Sequence, residues 1–109
     1  MAIPHAKSGQ IIDVRPLGAN VASTKTTTLV KTQQLEVLRL VVPAGKDIPA
    51  HQVAGEITVQ CLEGKVAFTA EGARQVLEAG QLLYLSGNQG HALQGIEDSS
   101  LLVTIQLDR

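Results

Sequence analysis

Aromatic side chains are almost missing from this chain: one Tyr, one Phe and no Trp in 109 residues. That excludes a base-stacking platform for nucleic acid and an aromatic surface for sugars, and it makes any core aliphatic. Cysteine is as scarce. Cys61 stands alone, so the chain cannot close a disulfide on itself and gives no sign of an oxidising compartment. No stretch approaches the roughly 18 apolar residues of a membrane span. Residues 1–10 show neither the charged start nor the apolar run of an export signal, and the expectation is a cytoplasmic protein. An excess of one charge is missing too. Nine Lys and Arg against ten Asp and Glu leave a net charge of −1. The basic residues are scattered singly, with no stripe to neutralise phosphates or hold an anionic membrane. Neither nucleic acid nor a membrane is an expected partner.

What is present suits an ordinary globular domain. Hydrophobic residues make up 44% and charged residues 17% of the chain, outside the low-hydrophobicity, high-charge regime of disorder. The length fits one domain. The apolar residues recur with period two, which puts one face of a strand in a core and the other in water. Ile57, Val59 and Cys61 alternate with Thr58 and Gln60; Val66 and Phe68 alternate with Lys65 and Thr69; Leu101, Val103, Ile105 and Leu107 alternate with Thr104 and Gln106. Over 35–42 the phase slips, from Leu35 and Val37 to Leu38, Leu40 and Val42, which predicts either a bulge near Val37 and Leu38 or burial on both faces. Weaker strand signals lie at 11–14, 26–30, 74–77, 82–85 and 91–94, for roughly nine strands in all.

Turn chemistry separates them: Pro43-Ala44-Gly45, Glu63-Gly64, Glu71-Gly72, Ala79-Gly80 and Ser86-Gly87-Asn88. No segment holds a 3.6-residue apolar period over ten residues, so an antiparallel all-β sandwich or barrel is predicted. Residues 1–34 are read as N-terminal strands of the same single domain and 35–107 as the barrel.

Chemistry-bearing residues are few. There is no cysteine pair, no Gly-rich phosphate loop and no Ser-His-Asp spacing. His51 follows the Pro43-to-Pro49 segment and His91 follows the Ser86-to-Gly90 turn, each at the mouth of a predicted strand, where inward-facing residues of a barrel can converge. The plain alternative is a hydrogen-bonded packing role, and for His5, near the terminus, that reading is preferred. Cys61 reads as a small buried hydrophobe. The Tyr84 hydroxyl, in a Leu-rich strand, is read as lining a pocket or as reaching solvent or an interface.

The arrangement resembles the cupin superfamily. Its first motif is Gly, five residues, His, one residue, His, three or four residues, Glu, six residues, Gly, and Gly45, His51 and Gly64 hold three of those places. Its second is Gly, five residues, Pro, one residue, Gly, two residues, His, three residues, Asn. Here Gly80 and His91 are in register, with Ser86, Asn88 and Gly95 at the Pro, Gly and Asn places. The resemblance spans 35–107. It implies an antiparallel double-stranded β-helix, or jelly-roll barrel.

It also implies a divalent transition metal, Zn, Mn, Fe or Ni, held in cupin enzymes by two His and a Glu of the first motif and one His of the second. This chain departs from that set, with Val53 at the second His place and Ile57 at the Glu place. Glu56 sits one residue early, which in a strand turns it to the opposite face unless a bulge near Gly55 re-aims it. His51 and His91 alone fall short of the three protein ligands of a catalytic zinc or a mononuclear iron site. Gln52, Gln60, Gln89 and Gln94 offer only neutral amide oxygens. The expected function is therefore a small-molecule pocket inside the barrel, anchored by His51 and His91 with Tyr84 and Gln60 as further ligand contacts, and with a metal held weakly if at all. The alternatives are a metal-dependent oxygenase or isomerase and a purely structural barrel. Similar small cupins pair as homodimers through N-terminal strands, and 11–14 and 26–30 are the segments expected to do so here.

Overall fold

The computed structural model describes residues 5–107. Nine strands form among them: β1 (Thr27–Lys31), β2 (Leu35–Val42), β3 (Asp47–His51), β4 (Ile57–Glu63), β5 (Lys65–Ala70), β6 (Ala73–Glu78), β7 (Leu82–Leu85), β8 (His91–Gly95) and β9 (Ser99–Gln106). They pair antiparallel in two sheets, one ordered β1-β2-β9-β4-β7 and the other β3-β8-β5-β6. The chain changes sheet after β2, β3, β4, β6, β7 and β8 and so wraps both sheets around one interior, as a jelly-roll barrel does.

Period-two alternation decides what fills that interior. In β4, Ile57, Val59 and Cys61 are buried while Thr58 and Gln60 between them are not. Val42, Val66, Phe68, Leu77, Leu85, Leu93, Leu101 and Val103 complete the core with them. Phe68, the one large ring available, is 1% exposed and sits at its centre. The predicted turns all fall between strands. Glu71 and Gly72 take φ of 52° and 76° at the tip of the β5–β6 hairpin, the pair of left-handed residues that matches the twist of two antiparallel strands.

Three sequence expectations need correction. Residues 11–14 form no strand; Ile11, Ile12 and Asp13 border the outer face of β1 and β2, Asp13 pairs with Arg15 two residues on, and Pro16 follows. The segment 43–49 is more than a turn, since Asp47–His51 is a strand. It lies at a sheet edge, where Pro49 has no inward ladder bond to lose. The phase slip in β2 reflects burial on both faces: the β2–β9 register runs unbroken from Leu35 to Val42, and the bulge lies in β1, between Thr28 and Val30.

Burial of the outer face of β2 comes from the N-terminal segment. A 3₁₀ turn, Gly18–Ser23, packs against β2 and buries Val21. The Glu63 carboxylate at the end of β4 fastens it, accepting hydrogen bonds from the Leu17 N–H (2.7 Å), the Gly18 N–H (2.9 Å) and the Ser100 hydroxyl (2.5 Å). Burial raises the Glu63 pKa, but these three bonds together with the charge of Arg39 outweigh it and leave the carboxyl below its ordinary value. Among the described residues no helix is long and apolar enough to cross a membrane.

Candidate functional site

His51 ends β3 and His91 begins β8, and in the antiparallel ladder the two are direct partners. The sequence placed both at strand starts. The observed arrangement is tighter, because the end of one antiparallel strand lies beside the start of the next on the same face. Their ring centroids are 4.2 Å apart at 60°. On the neighbouring strand β5, the Phe68 ring lies nearly parallel to His91 at 5.7 Å. His91 is buried, whereas His51 is exposed toward the mouth.

Each imidazole is oriented in the same way. The His51 Nδ1–H donates to the Pro49 carbonyl and the His91 Nδ1–H to the Gln89 carbonyl, both at 3.1 Å and both two residues back. A carbonyl only accepts, so the hydrogen must sit on Nδ1. In its neutral form each ring therefore keeps its lone pair on Nε2. Burial pulls the His91 pKa below the usual imidazole value, and the neighbouring His51 charge acts the same way; the Gln89 carbonyl opposes them without prevailing. At neutral pH His91 is an acceptor.

Both rings border a cavity of about 170 Å³ inside the barrel. Leu38, Leu40, Val103 and Ile105 come to it from the five-stranded sheet, and Ile48 and Leu93 from the other. Val53 and Ile57 also line it. These are the places where the cupin motif carries its second His and its Glu, so the backbone delivers side chains inward there and the side chains delivered are aliphatic. The Asn88 N–H bonded to the Val53 carbonyl (2.8 Å) ties the two motif loops together at this mouth.

The other sequence candidates lie elsewhere. Gln60 points to the outer face of the sheet, as the inward turn of Val59 and Cys61 on either side requires. Tyr84 pairs with Thr58 on that outer face and is 59% exposed. Its hydroxyl donates to the exposed Glu56 carboxylate at 2.5 Å, which raises the Tyr84 pKa. No bulge at Gly55 turns Glu56 inward. The residues missed by the sequence reading are the aliphatic walls and Phe68, whose inward parity was visible but whose meeting around one cavity was not.

Two imidazoles without a carboxylate make a poor resident metal site. Among the described residues no group of three or more His, Cys, Asp or Glu side chains could hold an ion. The full four-ligand set of the cupin motif does not fit this interior.

The family profile described as Cupin domain matches residues 38–105. No curated protein matches the chain in sequence. Among solved structures, a conserved protein of unknown function from Streptococcus pyogenes is similar over 100% of this chain and 96% of its own, with a TM-score of 0.77 and 19% identity. An RmlC-like cupin family protein with a double-stranded β-helix fold from Methanocaldococcus jannaschii matches 91% of this chain and 94% of its own, with a TM-score of 0.74 and 20% identity. A variant of salicylate 1,2-dioxygenase from Pseudoaminobacter salicylatoxidans covers 73% of this chain with 25% of its own, at a TM-score of 0.69 and 18% identity. At these identities the likeness is one of fold.

Proposed function

This chain belongs to the cupin family, and from that premise we propose that its barrel interior binds a small, mainly apolar molecule carrying a hydroxyl, with His51 and His91 as its polar anchors. The observation that carries this reading is the pair of imidazoles whose Nδ1 atoms are both committed to backbone carbonyls, leaving two Nε2 acceptors at the edge of an aliphatic cavity. An acceptor in a dry pocket recognises a donor, and a ligand lacking one leaves the site's polar groups unpaired. The cavity suits a single ring, since an apolar cavity of about 150 Å³ holds benzene.

A divalent transition metal, Zn, Mn, Fe or Ni, enters this reading only as a weakly held guest of the two imidazoles, with its remaining positions filled by water or ligand oxygen. The chain is further proposed to pair with a second copy. Leu35, Leu82 and Tyr84, all exposed on the outer face of the five-stranded sheet, support an association there.

Phenol, with benzene as control, tests the proposal. Phenol is expected to raise the melting temperature more than benzene and to shift the imidazole ¹⁵N resonances of both histidines, and His91→Leu is expected to abolish the difference between the two probes. Equal effects of phenol and benzene, or none from either, overturn it. Stoichiometric transition metal in the purified protein, with stabilisation on adding Mn, Fe, Ni or Zn, replaces it with the metal-dependent enzyme reading. Sedimentation showing only monomer at micromolar concentration removes the pairing.

A further inference from the structure

A second cavity, of about 370 Å³, lies outside the barrel between the N-terminal segment and the outer face of β1 and β2. Ile11, Ile12, Leu17 and Leu29 make its walls largely apolar, and the charged group that the sheet contributes is Arg39. Arg39 is only 9% exposed. Its guanidinium has five N–H bonds to satisfy, yet the described residues offer one acceptor, the Arg15 carbonyl, at 2.9 Å from Nη2. Its Nε is buried with no partner and is the only such side-chain nitrogen or oxygen among the described residues.

The carboxylates that feel the charge of Arg39 are already committed. Asp13, also on the cavity wall, is held by Arg15 through Nε and Nη2 and through its backbone N–H. Glu63 already accepts from Leu17, Gly18 and Ser100. Neither forms an ion pair with Arg39. A buried guanidinium in this condition presents its fork to whatever anion enters, and a carboxylate matches that fork. The apolar walls select for a hydrocarbon body, and the Asp13 charge disfavours a ligand with a second negative group.

We propose that this cavity is a binding site for a small amphipathic monocarboxylate, its carboxylate on Arg39 and its alkyl part against Ile11, Ile12, Leu17 and Leu29. The site is separate from the barrel interior, because Arg39 and the inward Leu38 and Leu40 leave β2 on opposite faces.

Titration of the full chain with hexanoate, followed by ¹⁵N-resolved NMR, tests it. Hexanoate is expected to move the Arg39 Nε–H resonance and the Thr27 and Leu29 amides in a saturable way while leaving the His51 and His91 signals in place. 1-Hexanol and inorganic phosphate are expected to move neither the Arg39 Nε–H resonance nor those two amides. Arg39→Gln is expected to abolish binding. Because that buried position can compromise folding, Ile11→Asp, at a site 93% exposed, provides the second variant; its added negative charge should weaken hexanoate by about tenfold. An unmoved Arg39 Nε–H at saturating hexanoate, an equal response to hexanol or phosphate, or unchanged affinity in Ile11→Asp overturns the proposal.

Discussion

The two faces of the five-stranded sheet are built from the same strands and hold opposite chemistry. Inward, β2, β9 and β4 present Leu40, Leu101, Cys61 and their neighbours, and the polar groups of the adjoining cavity are two imidazoles from the other sheet. Outward, within the same few residues, lie Arg39, Ser100 and Glu63, each buried or half-buried. A charge is tolerable on the outer face because a separate layer of chain brings partners to it: the Leu17 and Gly18 amides to Glu63 and the Arg15 carbonyl to Arg39. No such layer reaches the interior. A buried carboxylate at Ile57 would need a metal or a cation there, and the loss of the Glu and His places to Ile57 and Val53 leaves an interior that is consistent without one. Parity along a strand separates the two environments, and what covers each face decides which chemistry it can carry.

The contrast breaks most visibly if the interior is not a continuous apolar core. Phe68→Ala removes its only large ring and should cost about 3–5 kcal/mol in chemical denaturation; a loss below ~1 kcal/mol would mean the cavity side collapses and that the barrel is loosely packed there. On the outer face, Glu63→Gln weakens three hydrogen bonds to a charged acceptor on a partly exposed group, for an expected loss of about 1–2 kcal/mol. It should also speed proteolytic cleavage within residues 5–25, while the phenol response of the interior stays intact. If cleavage is unchanged, the fastening role assigned to Glu63 is wrong.

Acid separates the faces further. The unfolded chain takes up a proton on His91 near its ordinary pKa of 6.5, whereas the folded chain, with its pKa lowered by burial, resists it. Stability should therefore hold above that value and fall as pH drops from about 6.5 toward the lower folded pKa. Glu63, also lowered when folded, keeps its contribution above the ordinary 4.5 and loses it only as pH falls through its folded value. Melting temperatures across pH 8 to 3 should show two separate declines, and His91→Leu should remove the first alone. Smallest of all is Tyr84→Phe, which deletes an exposed hydrogen bond to Glu56; neither the midpoint of unfolding nor phenol binding should change. A lost phenol response in Tyr84→Phe would put the outer face into the interior site.

Much of the fold was legible because alternation is a local property. Ile57, Val59 and Cys61 announced an inward face without any knowledge of what they faced, and the positive-φ turn at Glu71 and Gly72 announced its hairpin. β3 was not legible: five residues with a proline at their centre carry little strand signal, and their pairing with β8 forms them. Residues 11–14 failed in the opposite sense, since Ile12 and Val14 flank Asp13 with the spacing of a strand face, yet Ile11 and Ile12 border the outer face of β1 and β2 instead of extending a sheet edge. For the site, the register of His51 and His91 with a known motif located the two rings. Tyr84 and Gln60 carry groups able to anchor a ligand, but the parity of Thr58, Gln60 and the strand beside them turns both outward.

A barrel with an aliphatic interior, its turns, and two histidines at one of its mouths can be read along the chain, because period, turn residues and motif spacing are written in consecutive residues. Three-dimensional packing makes His51 and His91 ladder partners with ring centroids 4.2 Å apart and matching tautomers, lets Val53 and Ile57 close the site with hydrocarbon, and buries Arg39 with a single hydrogen bond among the described residues. Those facts depend on which strands become neighbours and on what the N-terminal segment covers, and both are settled by contacts between residues far apart in the chain.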